Sequence, residues 1–336
     1  MSGLKQLIPR HTADHYQSGR YDGRFPAITL FIDISGFTTM TDRLMKEGKN
    51  GAEILSRIIN RTFTPLIDAV YDAGGFVSSF AGDAFTAIFP EENVDSESVF
   101  EAASQMQLHF RRAGVQKTPR EDFTLQAKIG LGYGEVRWNI FRSEESAAYL
   151  YSGPAINECA AAEHLCSPGF IVIPIRGRFS VPDSAETQPT KDAGFAQFRP
   201  TQSIRKEPIE RLPESEVDNA ILEHFLPTNR LPDSGIGEFR DIVSVFMTYD
   251  EEQVEPERMF KEVIRSGRNK GAYLNLMDSG DKGGVLLVLF GAPYSVEDRS
   301  RRALEFALEM AETLPLIRVG VAGGNAFTGY IGSERR

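Results

Sequence analysis

Ala27-Ile-Thr-Leu-Phe-Ile-Asp33-Ile-Ser-Gly36-Phe-Thr38 opens with six β-prone residues and then meets a carboxylate followed by small and polar residues. A run this short is a buried strand rather than a core helix, so Asp33 sits at a strand end. Fifty residues on, Phe80-Ala-Gly82-Asp83-Ala-Phe places a second carboxylate beside a glycine. Phe76-Val-Ser-Ser-Phe80 and Ala84-Phe-Thr-Ala-Ile-Phe89 flank Gly82-Asp83 as the two strands of a hairpin. Between the motifs, from Gly51 to Asp72, Leu55, Ile59, Phe63, Leu66 and Val70 fall on one helical face, with Pro65 expected to bend the helix. Val99, Ala103, Met106 and Phe110 line a second helix, and Leu125 to Leu131 and Glu135 to Phe141 form two further strands. The order is βαββαβ with additions, an α+β domain on the ferredoxin-like plan.

The second half repeats this order. Asp241-Ile-Val-Ser-Val-Phe-Met247 matches the first strand. Gly271-Ala-Tyr-Leu-Asn and Gly283-Gly-Val-Leu-Leu-Val-Leu-Phe290 match the hairpin, and Leu316-Ile-Arg-Val-Gly-Val-Ala-Gly-Gly matches Ala127-Lys-Ile-Gly-Leu-Gly-Tyr-Gly134. Internal duplication predicts an N-terminal arm over 1–25, a first domain over 26–175, a linker and connecting arm over 176–235, and a second, degenerate domain over 236–336. The linker is rich in Pro, Ser, Thr and charge without a sustained period.

Bulk properties narrow the class without choosing it. With 336 residues the length prior is about two domains. No apolar run reaches the roughly 18 to 20 residues of a membrane span, and the polar N-terminus is no signal peptide, so the chain is expected in the cytoplasm. Cys159 and Cys166 are too few for a disulfide framework and are expected to be reduced structural thiols. A net charge of −10 opposes nonspecific nucleic-acid binding.

Hard oxygen ligands in a sparse pair suit Mg²⁺, or Mn²⁺, which is held by one or two carboxylates together with substrate phosphates. Asp33, leading through Ser35-Gly36-Phe37-Thr38 into a helix, directs a carboxylate and free backbone N–H groups at one spot, as a metal-bound triphosphate requires. Gly82 permits the tight turn that brings Asp83 beside Asp33, and two ions about 3.5 to 4 Å apart would then serve the attacking hydroxyl and the leaving phosphate.

Phe31-Ile-Asp-Ile-Ser-Gly-Phe-Thr38 with Phe80-Ala-Gly-Asp-Ala-Phe-Thr-Ala-Ile-Phe89 resembles the two metal motifs of class III nucleotidyl cyclases. The soluble adenylyl cyclase-like group, with tandem catalytic domains in one chain, is the nearest type. Asp281-Lys-Gly-Gly-Val-Leu-Leu-Val-Leu-Phe-Gly-Ala-Pro293 is similar to that group's second domain. The resemblance implies two ferredoxin-like domains packed as a pseudo-twofold pair with ATP or a related nucleoside triphosphate between them. It also implies metal ligands Asp33, Asp83 and the Ile34 carbonyl, a phosphate site at Ser35, Gly36, Phe37, Thr38 and Gly82, and formation of cyclic AMP and pyrophosphate.

Several positions depart from the pattern. Ile156-Asn157-Glu158-Cys159-Ala160-Ala161 keeps the family's asparagine but has Ala161 where an arginine is usual, and its small residues are expected to pack a helix closely on the sheet. Thr248 replaces the first metal aspartate in the second copy, Leu276 a base-recognising lysine, and Ser79 the lysine of bicarbonate regulation. The sequence ends at Ser333-Glu-Arg-Arg336, ahead of the second asparagine and arginine motif. A truncated chain of weak activity is therefore expected, part of a longer protein that continues into an ATPase region. Alternatives are a non-catalytic nucleotide-binding pseudo-cyclase, a guanylate cyclase and a palm-type nucleotidyl transferase.

Overall fold

The computed structural model describes residues 7–92, 94–176, 179, 186–200, 218–226, 238–280 and 283–328. After helix α1 (Arg10–Gln17), the β-rich run lies within strand β1 (Asp22–Ser35). Helices α2 (Phe37–Met45) and α3 (Lys49–Asp72), strands β2 (Phe76–Ala81) and β3 (Ala84–Pro90), and helix α4 (Ser96–Ala113) follow. A small ribbon, β4 (Val115–Lys117) and β5 (Asp122–Thr124), precedes β6 (Gln126–Arg142), β7 (Ala147–Ser152), α5 (Pro154–His164) and β8 (Ile171–Pro174). Within the stretch read as a linker, β9 (Glu186–Pro189) and β10 (Phe195–Arg199) extend the same sheet. Its order is β2-β3-β1-β6-β8-β10-β9, with β7 also on β6.

The pleat of β1 sorts its side chains. Ile28, Leu30, Ile32 and Ile34 are each at most 3% exposed and face one core, while the intervening residues, Asp33 among them, face the other way. Each such aliphatic side chain contributes about 1.5–3 kcal/mol by leaving water. Helix α3 runs unbroken through Pro65 and buries Leu55, Ile58, Phe63, Leu66 and Val70. Ile58 takes the place expected for Ile59, a slip of one residue on a helix whose 3.6-residue turn drifts against a strict spacing of four. The two strands expected over 125–131 and 135–141 are one, β6, which passes straight through Gly130-Leu-Gly-Tyr-Gly134.

The second half holds α6 (Asn219–Phe225), β11 (Glu238–Tyr249), α7 (Pro256–Gly267), β12 (Tyr273–Gly280), β13 (Gly283–Phe290), α8 (Arg299–Thr313) and β14 (Arg318–Thr328). Its sheet order, β12-β13-β11-β14, is that of β2-β3-β1-β6 in the first half, so the repeated βαββαβ pattern is a repeated fold. Val245, Met247, Leu286, Val288 and Phe290 from the sheet meet Phe260, Phe306 and Met310 from the helices in its core. Asp281, Lys282 and the C-terminal Ser333–Arg336 of the sequence motifs lie outside the described residues. The chain divides into two compact units, one built on Arg24–Arg137 and the stretch after Ser152, the other on the chain up to Gly23, Trp138–Tyr151 and the second half. No helix among the described residues is long and apolar enough to cross a membrane.

Candidate active site

Antiparallel pairing of β1 with β3 sets Asp33 opposite Ala84, and the Ile34 amide donates to the Asp83 carbonyl at 3.2 Å. The two carboxylates thus stand at adjoining ends of neighbouring strands. The link between β2 and β3 is the two residues Gly82 and Asp83, closed by the Ala81–Ala84 pair. Gly82 has φ +67°, which a glycine adopts without strain. A positive φ at the first loop position alone is the type II′ hairpin, and it ends with Asp83 at the tip of β3.

Gly36 makes the next turn possible. Its φ is +91°, and a Cβ there would lie 2.5 Å from the Thr124 carbonyl oxygen, so both backbone conformation and space require glycine. Helix α2 starts immediately after it, without a side-chain cap. The first helical bond runs from the Met40 amide to the Gly36 carbonyl, which leaves the amides of Phe37, Thr38 and Thr39 outside the helix's own ladder. Thr38 Oγ1 donates to Asp83 Oδ2 at 3.2 Å and ties this helix end to the second carboxylate. The Phe37 ring packs edge-on against Phe63 and is half-buried. The Ile34 side chain is buried, and Ser35 is the last residue of β1.

The structure adds two residues that the motifs did not single out. Lys128 on β6 places Nζ 3.7 Å from Asp33 Oδ2 and 2.5 Å from Glu163 Oε1, and the Glu163 side chain on α5 is only 5% exposed. Burial, then the charges of Glu163 and Asp83, raise the Asp33 pKa above its ordinary value against the opposing pull of Lys128. For Lys128, burial works against the charge, but the hydrogen bond and charge of Glu163 and the charge of Asp33 outweigh it and hold the ammonium above the usual lysine range. Asp33, Asp83, Lys128, Glu163 and the amino end of α2 therefore form one electrostatic unit.

The donor set tests the metal expectation. No group of three or more His, Cys, Asp or Glu side chains among the described residues is arranged to hold a metal. What stands at the site is a pair of carboxylates, with Asp33 30% exposed and so open to water and phosphate oxygens. That set fits Mg²⁺ or Mn²⁺ and not a soft or nitrogen-seeking metal. Cys166 is no ligand candidate, because burial pushes its thiol up to about 12; it and Cys159 are buried and neither is in a disulfide.

Helix α5 carries the remnant of the third motif. Asn157 and Ala161 lie one turn apart on it. The small residues pack as expected: a Cβ on Gly130 would meet the Cys159 carbonyl oxygen at 2.2 Å, and one on Gly132 the Ala155 carbonyl oxygen at 2.4 Å. In the second half, Leu276 pairs with Leu287 and Thr248 with Val285. Ser79, 7% exposed, is buried in β2.

No family model matches the chain. It is 23% identical over 368 residues to adenylate cyclase type 10 of Homo sapiens and 24% identical over 365 residues to that of Mus musculus. Each match covers 93% of this chain and 22% of the relative, so the chain spans about a fifth of the length of these proteins. Among solved structures it is similar to the guanylyl cyclase Cya2, with 24% identity over 53% of this chain and 92% of that one, at a TM-score of 0.39. It is also similar to a bacterial light-regulated adenylyl cyclase, with 16% identity over 60% of each chain, at a TM-score of 0.46. The relatives in sequence and the motifs around Asp33 and Asp83 agree in what the chain resembles, the class III nucleotidyl cyclases.

Proposed function

We propose that the unit around Asp33 and Asp83 is a catalytic half of a nucleotidyl cyclase that converts ATP to 3′,5′-cyclic AMP and pyrophosphate. The observation that carries this is the convergence of two carboxylates, an uncapped helix end and an ammonium at neighbouring strand ends of the sheet. Asp33, Asp83 and the Ile34 carbonyl would hold Mg²⁺ or Mn²⁺, which when bound neutralises phosphate charge and makes the ribose 3′-hydroxyl a better nucleophile. The amides of α2 at the positive end of its dipole would donate to the phosphate oxygens. Lys128 sets a further positive charge beside the carboxylates, where it favours charge leaving with pyrophosphate. The 3′ oxygen forms its bond to the α-phosphorus as the bond to the bridging oxygen breaks. The hydroxyl proton passes to solvent, and pyrophosphate departs with the electron pair.

Incubation of the full chain with ATP and Mn²⁺, with GTP in parallel, tests this by chromatographic detection of the cyclic product. Cyclic AMP that disappears with Asp33→Asn is the expected result, and product undiminished in both Asp33→Asn and Asp83→Asn overturns the site. Ala161 and Leu276 favour a second reading, a nucleotide-binding regulatory module, because both are apolar where the resemblance implies cations or donors. Calorimetric ATP binding without any cyclic product would select that reading.

A further inference from the structure

Lys128 stands between two carboxylates and is closer to the one that is not a candidate cation ligand. Its Nζ lies 2.5 Å from Glu163 Oε1 and 3.7 Å from Asp33 Oδ2. Glu163 is almost wholly removed from water, so its charge depends on this ammonium for compensation. Helix α5 cannot drift away with it: Gly130, two residues along β6 from Lys128, touches the helix so closely that a Cβ would come within 2.3 Å of the Glu163 amide nitrogen. Anchor and lysine are thus mounted on two elements in fixed contact.

We infer that Glu163 is a positioning residue that holds the Lys128 ammonium short of Asp33, leaving the Asp33 carboxylate open to a cation. This rests on the reading of Asp33 as a cation ligand. Without the Glu163 charge, the nearest carboxylate to the ammonium is Asp33. Closing the gap to a direct charge-assisted bond of about 2.8 Å would neutralise the oxygen that a metal needs. With Glu163 in place the lysine stays at the rim of the site, near enough to act on a phosphate and too far to seal the carboxylate.

Mn²⁺ binding to the full chain without nucleotide, followed by the loss of the free-ion electron paramagnetic resonance signal, tests this. Glu163→Gln is expected to weaken binding about tenfold, and Lys128→Gln to tighten it, as a competing cation is lost. In the Lys128→Gln background the added Glu163→Gln change should weaken binding at least about threefold less than in the wild type, since the through-space pull of the Glu163 charge is common to both. The same factor in both backgrounds overturns the role. Should Glu163→Gln fail to fold, Glu163→Asp keeps the charge but withdraws it by one methylene. Weaker Mn²⁺ binding in that variant supports the role, and unchanged binding overturns it. Asp33→Asn separates the two levels. Intact Mn²⁺ binding in that variant sinks the cation site itself, whereas lost binding together with an uncoupled cycle sinks only the role of Glu163.

Discussion

The two βαββαβ copies share a sheet order, but among the described residues only the first sets a carboxylate pair at the matching strand ends, and the strand registers show where they differ. Ile28 faces Phe89 in the first copy as Val243 faces Phe290 in the second. Counting on in step, Asp33 opposite Ala84 becomes Thr248 opposite Val285, and Asp83 becomes Gly284. The second hairpin continues past that point and turns only after the Gly280–Gly283 pair. A side chain added at Gly284 would strike the buried ring of Tyr249 at 2.2 Å. Asp250, just past the end of β11, accepts from the Glu252 amide and the Gln253 side chain. The two copies share a scaffold, but the second has a longer hairpin and a tyrosine ring against the place that Asp83 takes in the first.

The largest expected effects break the comparison at its centre. Asp33→Asn and Asp83→Asn should each lower cyclase activity by about 10² to 10³, the scale of losing one preorganised electrostatic contact to the transition state. Thr248→Ala should change it by less than about twofold, as for a side chain remote from the reacting atoms. Equal losses at Asp33 and Thr248 would mean that both copies contribute ligands. Thr248→Asp sharpens the point: with Gly284 opposed by Tyr249, it should add no Mn²⁺ to the number bound, as counted by equilibrium dialysis.

How far the site was legible follows from the same contrast. Periodicity located the strands, the hairpins and the apolar face of α3, and the two aspartates stood out because each interrupts an apolar run beside a glycine. Lys128 offered a comparable signal, a lone cation in Leu125-Gln-Ala-Lys-Ile-Gly-Leu131, and its counterpart Arg318 marks the same place in the second copy. Its meaning depended on Glu163, which sits 35 residues on, in a different element, inside a helix of small residues. No local pattern pairs two such residues; the crossover through α5 to the parallel strand β8 does. The glycines of β6 misled for a related reason. Glycine usually marks a turn, but Gly130 and Gly132 lie mid-strand because a helix backbone presses on them.

Those glycines give the next largest effect. Gly130 and Gly320 occupy matching places in the two copies, each two residues after the basic residue that begins the shared motif. Gly130→Ala drives a Cβ to 2.2 Å from the Cys159 carbonyl oxygen, and backbone cannot yield as a flexible side chain would. It should cost about 1–3 kcal/mol or more, as overpacking does. Around Gly320 the nearest described atom to such a Cβ is the Phe246 carbonyl oxygen at 3.9 Å, so Gly320→Ala should be neutral or gain about 0.5–1 kcal/mol from reduced chain entropy. Urea unfolding midpoints of the two variants measure the difference, and equal midpoints would show that α5 does not clamp β6.

The smallest effect concerns the price of keeping the pair charged. Burial, Glu163 and Asp83 together raise the Asp33 pKa above 3.8, its ordinary value, so the folded chain binds this proton more readily than the unfolded chain does. Linkage then fixes the sign: the Asp33 contribution to stability is fully present below about 3.8 and is lost as pH rises through the raised folded value. At neutral pH the ionised carboxylate therefore works against the fold. Asp33→Asn, which is inactive on the present reading, should unfold at a slightly higher temperature than the wild type at neutral pH, and the gap should close as pH falls toward 3.8. Thermal melts across that range, paired with Thr248→Asn in the second copy, provide the check. Only the Asp33 variant should show a pH-dependent difference, because the Thr248 hydroxyl carries no charge to relieve. A wild type more stable than Asp33→Asn at neutral pH would instead mean that the ion pair with Lys128 outweighs burial and the neighbouring carboxylates.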